Sequence, residues 1–299
     1  MNKTSLSKTS LSKTWLITGT SSGLGRIMTE RLLDRGDRVA ATVRHQDALA
    51  DLQQKHRESL RVIRLDLTDS DSIRAAVDQA FRHFGRIDVV VSNAAYGLVG
   101  AAEELTDTQI DHQIATNLTG SIQLIRAVLP HLRQQGEGRV VQVSSEGGQI
   151  AYPSFSLYHA TKWGIEGFVE SVAQEVAPFG IDFMIAEPGP TVTNFGAGIV
   201  MASPLVAYEA TPAGAVRRAV SERTFEIKGD AGRTVDALIA AADSAKPPFR
   251  LPLGSTAYTN LTRELARRLA GIEAQRDVAF AADRDAVVPA ATPPITKSA

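Results

Sequence analysis

The chain has no cysteine. Disulfides, thiolate nucleophiles and cysteine metal sites are excluded, and the composition suits a reducing compartment, with the cytoplasm as the default location. It also lacks a surplus of either charge: 32 Lys and Arg stand against 33 Asp and Glu, for a formal net charge of -1. Acids and bases are interleaved, so no electrostatic footprint for nucleic acid or an anionic membrane is present. No apolar run reaches the roughly 18 residues that cross a bilayer. The first dozen residues are rich in Ser, Thr and Lys and carry no apolar signal core. The six histidines (His45, His56, His83, His112, His131 and His159) show no metal-ligand spacing, so no metal site is predicted.

What is present is enough for a sizeable core: 299 residues, 43% of them hydrophobic. The segment KTSLS at 3–7 recurs at 8–12, too short and polar to build a repeat fold, and residues 1–12 are read as a flexible leader. Residues 276–299, rich in Ala and Pro, are read as a disordered or loosely attached tail. No linker splits 13–275, which is expected to be one domain.

Within it, strand-like and helix-like patterns alternate. Strands are predicted at Trp15–Thr18, Val39–Val43, Val62–Leu65, Val89–Val91, Val140–Val143, Ile181–Ala186 and Phe249–Leu253. Helices are predicted at Leu24–Arg35, Asp47–His56, Ser70–Phe84 and Tyr158–Val176, with one or two more in Asp107–Leu132. Gly36, Gly85 and Gly180 fall just past helices, where a left-handed cap is wanted. Strands apolar on both faces, alternating with helices, predict a doubly wound Rossmann-type α/β domain with a seven-stranded parallel sheet. Residues 190–225 are irregular and then partly helical, either a lid or a surface excursion.

The first strand runs into Thr18-Gly19-Thr20-Ser21-Ser22-Gly23-Leu24-Gly25. Between a strand and a helix, Gly19, Gly23 and Gly25 allow a tight turn and a close approach of backbone to a pyrophosphate, which the helix N-terminus attracts. An ordinary Gly-rich turn is the alternative. The second strand ends Ala41-Thr42-Val43-Arg44, with no carboxylate to take a ribose 2′-hydroxyl. Arg44 suits a 2′-phosphate, so NADP(H) is preferred and NAD(H) remains possible, with Arg44 then a solvated side chain. Asp66 ends the third strand and either accepts from an adenine amino group or caps the following turn.

Further on lies Ser145-x12-Tyr158-x3-Lys162. Tyr158 and Lys162, at i and i+4, share a helix face. A free tyrosine titrates near 10, and a neighbouring ammonium is expected to lower that value. Lys162 can also donate to ribose hydroxyls. Ser145 follows a strand, at the carboxyl edge where open α/β sheets bind ligands, and can hydrogen-bond a substrate oxygen. A hydride donor, a proton donor and a group that holds the oxygen are the parts a carbonyl reduction needs.

With these residues the chain resembles the short-chain dehydrogenase/reductase family, in its branch of ordinary length. The matching residues are TGTSSGLG at 18–25, Asp66-Leu67-Thr68, Ser92-Asn93-Ala94-Ala95, Asn117, Ser144-Ser145, Tyr158-x3-Lys162, and Pro188-Gly189 with Thr191 and Thr193. The closing section, with Gly229-Asp230, Pro247-Pro248 and Leu251-Pro252-Leu253-Gly254, is similar to a bacterial subgroup akin to 17β-hydroxysteroid and retinol dehydrogenases. The resemblance implies that Tyr158 is general acid or base, that Lys162 tunes it and holds ribose, that Ser145 orients the carbonyl, and that Asn117 holds a relay water. It implies a cofactor site of Gly19, Ser21, Ser22, Gly23, Leu24, Gly25, Arg44, Asp66, Leu67, Asn93, Ala94, Tyr158, Lys162, Pro188, Gly189, Thr191 and Thr193. It also implies a homodimer or homotetramer.

Three residues depart from the family pattern. Ala95 adds a methyl group where a Gly is usual, Trp163 is bulkier than the common residue, and Val192 stands where the subgroup often has Arg. Tyr152, Phe155 and Phe195 either shape an apolar substrate site or pack the core or lid. His159 is expected to be structural, and Glu146 a solvated or loop-ordering acid. The reading is an oxidoreductase moving hydride between NADP(H) and a ketone, aldehyde or secondary alcohol. Its rivals are an NAD(H)-dependent enzyme of the same fold and a nicotinamide-binding sensor or scaffold without turnover.

Overall fold

The computed structural model describes residues 12–283. The chain order is β1 (Thr14–Thr18), α1 (Gly23–Asp34), β2 (Arg38–Val43), α2 (Ala50–Lys55), β3 (Leu60–Arg64), α3 (Ser70–Phe84), β4 (Val89–Ser92) and β5 (Leu98–Val99). It continues through α4 (Asp107–Gln113), α5 (Gly120–Gln135), β6 (Gly138–Val143), α6 (Ser156–Val176), β7 (Ile181–Pro188), β8 (Thr191–Val192) and β9 (Val200–Met201). The last elements are α7 (Pro212–Glu222), β10 (Gly229–Asp230), α8 (Ala231–Asp243), β11 (Arg250–Leu253), α9 (Ser255–Glu273) and α10 (Arg276–Ala281).

Seven strands form one parallel sheet in the order β11-β7-β6-β4-β1-β2-β3, as the alternating pattern implies. One face is closed by Met28, Leu32 and Leu33 of α1 and by Val235, Leu238 and Ile239 of α8. The other is closed by α3, α5 and α6, through residues such as Ile73, Leu124, Val128, Ile165 and Val169. Burying both faces explains why the strand runs are continuously apolar rather than alternating. The chain runs outward from β1 through β2 to β3, then crosses back to place β4 on the other side of β1. The crevice at their carboxyl ends is where such sheets take ligands.

Gly36, Gly85 and Gly180 all have positive φ, at 94°, 73° and 71°. In Asp107–Gln135 the helix does not run evenly. Residues Ile114–Thr119 form a π-helical turn between α4 and α5, and Asn117 lies in it. No residue spacing announced this widened turn, which in other helices commonly marks functional positions. The 190–225 segment is tied down by two-residue pairings, β5 with β9 and β8 with β10. Within the stretch expected to be disordered or loosely attached, α10 covers Arg276–Ala281. Its residues Val278 and Phe280 stay exposed, so local helix propensity rather than burial forms it. The rest of the expected tail, and the leader apart from residue 12, lie outside the described residues.

Candidate active site

The glycine turn is stitched to the neighbouring strand end. Thr18 Oγ1 accepts from the N–H groups of Asn93 (2.9 Å) and Ala94 (3.0 Å). The Asn93 amide donates to the carbonyls of Thr18 (2.8 Å) and Gly19 (3.2 Å). The packing leaves no room for side chains: a Cβ on Gly25 would stand 2.3 Å from the Gly19 carbonyl oxygen, and one on Gly19 2.8 Å from Ala94 Cα. Gly19 and Gly23 also have φ of 69° and 58°, which L side chains avoid. Ser22, the N-cap of α1, makes no side-chain bond to the helix, so the first-turn N–H groups are left for a ligand. Ser21 and Ser22 are exposed beside them, and Leu24 is partly buried against the core. This cradle, bare of side chains and facing free N–H groups, fits a dinucleotide pyrophosphate.

Around it the other expected residues gather. Arg44 is exposed at the end of β2. Asp66 accepts from the Thr68 N–H (2.9 Å) and hydroxyl (2.7 Å), through one carboxylate oxygen. These bonds, and then the charge of Arg44, hold its carboxyl below the usual range. The turn-capping geometry is thus present, and the second carboxylate oxygen remains open. Leu67 packs against the start of α5, where a Cβ on Gly120 would come 2.6 Å from the Leu67 carbonyl oxygen. Pro188, the last residue of β7, leads to Gly189, whose N–H donates to Leu253 O (3.0 Å). Thr191 Oγ1 donates to the Gly189 carbonyl (2.9 Å). Thr193 reaches the glycine turn: a Cβ on Gly23 would lie 3.8 Å from its Cβ.

Tyr158 and Lys162 project from α6. The Tyr158 ring is half-buried between Phe155 and Phe195, with centroids 6.1 and 6.0 Å away. Lys162 is buried, and its Nζ donates to the Val143 carbonyl (3.0 Å) and stands 5.7 Å from the Tyr158 ring centroid. The expected lowering of the Tyr158 hydroxyl by Lys162 is absent from this geometry. Burial pushes Tyr158 up to about 12, the Ser145 hydroxyl opposes this, and Glu146 and Glu166 add to it. Burial likewise lowers Lys162 to about 8, with Glu166 acting the other way. The ammonium faces a backbone carbonyl rather than the phenol oxygen, so desolvation outweighs the attraction that i, i+4 spacing suggests.

A folded value lowered from 10.5 to about 8 means that Lys162 contributes stability above its unfolded value, and that this contribution is lost as pH falls through 8. Lys162→Met should therefore stabilise the ligand-free protein at neutral pH by up to about 3 kcal/mol. The gain should shrink towards about pH 10. Urea unfolding at the two pH values checks this, and a pH-independent gain would assign the effect to packing.

Ser145 caps the turn Glu146–Gly148, its Oγ accepting from the Gly147 N–H (3.1 Å). That turn lies flat on α6: a Cβ on Gly148 would fall 1.6 Å from Glu166 Oε1. His159 secures it, with Nδ1 against the Gly147 carbonyl (2.9 Å) and Nε2 accepting from the Tyr152 N–H (3.0 Å). Accepting at Nε2 requires the proton on Nδ1, and burial lowers the ring's affinity for a second proton. The structural expectation for His159 therefore holds. Glu146 is not solvated: it is 3% exposed and accepts from the Tyr152 hydroxyl (2.9 Å) and the Asn260 amide (3.3 Å), with burial raising its carboxyl. Burial of α9 against this loop, which no local pattern shows, removes it from water. Tyr152 is drawn into this contact, whereas Phe155 and Phe195 stand beside Tyr158.

Asn117 commits its side chain to Tyr96, accepting from its N–H (3.1 Å) and donating to its carbonyl (2.8 Å). Of the departures, Trp163 stacks under Arg268 of α9 at 4.4 Å, and Val192 is exposed within β8. Sequence reasoning missed Glu166 and Arg250, and it placed Thr18 in the glycine motif without its role of tying the turn to Asn93 and Ala94. Only Thr18 had a local signal, its place before Gly19.

Residues 13–202 match the family described as short chain dehydrogenase. The chain is 38% identical over 250 residues to oxidoreductase BOA17 of Botryotinia fuckeliana, covering 83% of this chain and 90% of that one. It is 35% identical over 189 residues to human 17-beta-hydroxysteroid dehydrogenase type 1, covering 60% of this chain and 57% of that one. A solved short-chain dehydrogenase from Streptomyces avermitilis superposes with a TM-score of 0.84 at 36% identity, over 92% of this chain and 100% of that one.

Proposed function

The chain belongs to the short-chain dehydrogenase/reductase family of oxidoreductases, and from that premise we propose that it is an NADP(H)-dependent carbonyl reductase or secondary-alcohol dehydrogenase. The observation that carries the reading is the meeting of Ser145, Tyr158 and Lys162 at the carboxyl edge of the sheet that also carries the bare glycine turn.

The residues that would hold the cofactor are Gly19, Ser21, Ser22, Gly23, Leu24 and Gly25 along the pyrophosphate, Asp66 and Leu67 towards adenine, and Asn93 and Ala94 towards ribose. Pro188, Gly189, Thr191 and Thr193 would face its nicotinamide end. Bound there, NADPH supplies the hydride. Tyr158 gives its hydroxyl proton to the substrate oxygen, and a value of about 12 keeps that proton in place at neutral pH. Ser145 donates to the same oxygen and stabilises its developing charge. Lys162 holds a ribose hydroxyl and passes protons toward Tyr158. Asn117 would hold the relay water, although its amide is committed to Tyr96 and its carbonyl accepts from the Ser121 hydroxyl (3.0 Å). Phe155 and Phe195 wall the substrate against the Tyr158 ring, which favours a moderately hydrophobic ketone or aldehyde.

NADPH and NADH consumption across aldehydes, aliphatic and aryl ketones, steroids and quinones tests this. Turnover with NADPH supports it, and no turnover despite tight NADPH binding would favour a sensor. For Arg44→Ala, the NADPH Kd is expected to rise about tenfold or more, while that of NADH stays within about twofold. An equal effect on both cofactors would remove the argument for NADP(H).

A further inference from the structure

Glu104, just past β5, has a side chain with no exposed surface. Its Oε2 accepts from the Ala101 N–H (2.8 Å). Its Oε1 accepts from the Leu205 N–H (2.9 Å) and from Arg217 Nη1 (2.7 Å) on α7. Arg217 is itself 7% exposed and turns Nη2 to Glu209 (2.6 Å). Burial opposes ionisation of Glu104, but these backbone donors and Arg217 outweigh it, so the carboxyl is held below its ordinary value. The pair is a buried, charge-assisted bridge between segments 113 residues apart.

Other contacts fasten the same two segments. The Tyr208 hydroxyl donates to Glu103 (2.8 Å). The Ala202 N–H donates to the Val99 carbonyl (2.8 Å), and β5 pairs with β9. Ser154, from the loop that follows Ser145, accepts from the Gly100 N–H (2.9 Å) and donates from its hydroxyl to Ala213 O (2.8 Å). Ser154 has a positive φ of 66°, a conformation a serine keeps only when its surroundings require it.

These ties decide where the start of the lid sits. A Cβ on Gly97 would lie 3.2 Å from both Phe195 and Ile199, and Phe195 faces the Tyr158 ring at 6.0 Å. The wall opposite Tyr158 is therefore carried by a segment whose far end is anchored at Glu104.

We infer that Glu104 and Arg217 are positioning residues that latch the 200–217 segment to the 97–104 segment and thereby set the size of carbonyl compound admitted against Tyr158. The latch rests on the proposed reductase reading for its effect on turnover, but not for its effect on the loop. Removing Arg217 leaves the buried Glu104 carboxylate without its cation, and removing the Glu104 charge leaves the buried guanidinium with only the half-exposed Glu209, so the segment must move to let water reach the site. Tyr158, Lys162 and the cofactor cradle touch neither residue.

The test uses the full chain with Arg217→Met, Glu104→Gln, the double variant, and Arg217→Lys as the charge-preserving control. In both single variants, tryptic cleavage at Arg218 and Arg223 should run about tenfold faster, as local opening becomes more populated. With two ketones differing in bulk, KM should rise about tenfold for the smaller, kcat should stay within about threefold, and preference should shift toward the bulkier. NADPH binding, read by fluorescence, should stay within about twofold. Arg217→Lys should restore part of the loop protection. The double variant, having no unpaired charge, should melt higher than either single variant and so keeps the test open if those fold poorly. Unchanged cleavage, KM and ketone preference, with only a lower melting temperature, would overturn the inference. Faster cleavage in the variants of a protein that turns over no carbonyl would uphold the latch and overturn the reductase reading.

Discussion

Tyr158→Phe is expected to lower kcat by about three orders of magnitude, the range that loss of a positioned general acid costs. The substitution removes one oxygen and keeps the ring that packs between Phe155 and Phe195. Fold and NADPH affinity should therefore persist. Ser145 can still donate a hydrogen bond to the substrate oxygen, but a serine hydroxyl is a much weaker acid than a phenol and does not replace the lost proton donor. The KM for the carbonyl should change little, because the lost interaction acts mainly as the oxygen gains charge. Single-turnover mixing of enzyme, NADPH and ketone gives the measurement directly. Retention of more than about a tenth of the activity would mean that another group supplies the proton, and the assignment of Tyr158 would fall.

Arg250→Met should produce the largest loss of stability. Arg250 of β11 binds Glu166 of α6 (2.6 Å), Glu170 one turn on (2.6 Å), and Glu187 of β7. Glu166 and Glu187 are 3% and 0% exposed, so Arg250 neutralises two carboxyls that have almost no water. Ser144 also donates to Glu166, and Gln149 to Glu187 at 2.6 Å. Without the guanidinium these bonds cannot offset the desolvated charge. Removing one side of such a buried arrangement costs about 3–5 kcal/mol, roughly 8–15 °C in Tm for a domain this size.

The loss should depend on pH. Burial raises both carboxyls, and for Glu187 the charge of Glu166 adds to it. A raised carboxyl contributes stability below its unfolded value and loses it as pH rises through the folded value. Arg250→Met raises both further, so its penalty should be small near pH 4.5 and grow toward pH 8. Glu166→Gln in the same background should recover part of the loss. Thermal melts of wild type, single and double variants across that range decide the matter. An equal penalty at both ends would attribute it to lost packing of the Arg250 stem. The cluster adjoins the active site through Ser144 and through Glu166, one turn beyond Lys162, so its failure should also disturb Lys162.

The parts of the protein written in the sequence are those with a short repeat or a backbone demand. Val89–Val91 and Val140–Val143 read as strands buried on both faces because helices cover both sides of a parallel sheet. Gly85 and Gly180 mark helix ends because the chain enters positive φ there. The glycine turn and the shared helix face of Tyr158 and Lys162 were legible because contiguous residues, or residues at i and i+4, are neighbours whatever the rest of the chain does, and Ser145 was legible from its place after a strand. Legibility stopped where the backbone leaves its ideal period. The π-helical turn at Ile114–Thr119, which sends the Asn117 side chain to Tyr96, has no counterpart in the hydrophobic spacing.

By itself, the sequence determined the order of strands and helices, their parallel arrangement, and the residues proposed for phosphate binding and proton transfer. The tertiary structure alone decided which polar groups lose their water and which partner each then finds. It turned Lys162 toward the Val143 carbonyl, buried Glu146 under Asn260, and joined Glu104 to Arg217 and Glu166 to Arg250 across 113 and 84 residues. The reason is one of range. Periodicity and turn chemistry act over a few bonds, whereas desolvation and ion pairing depend on strand register and helix packing that exist only once the sheet has formed.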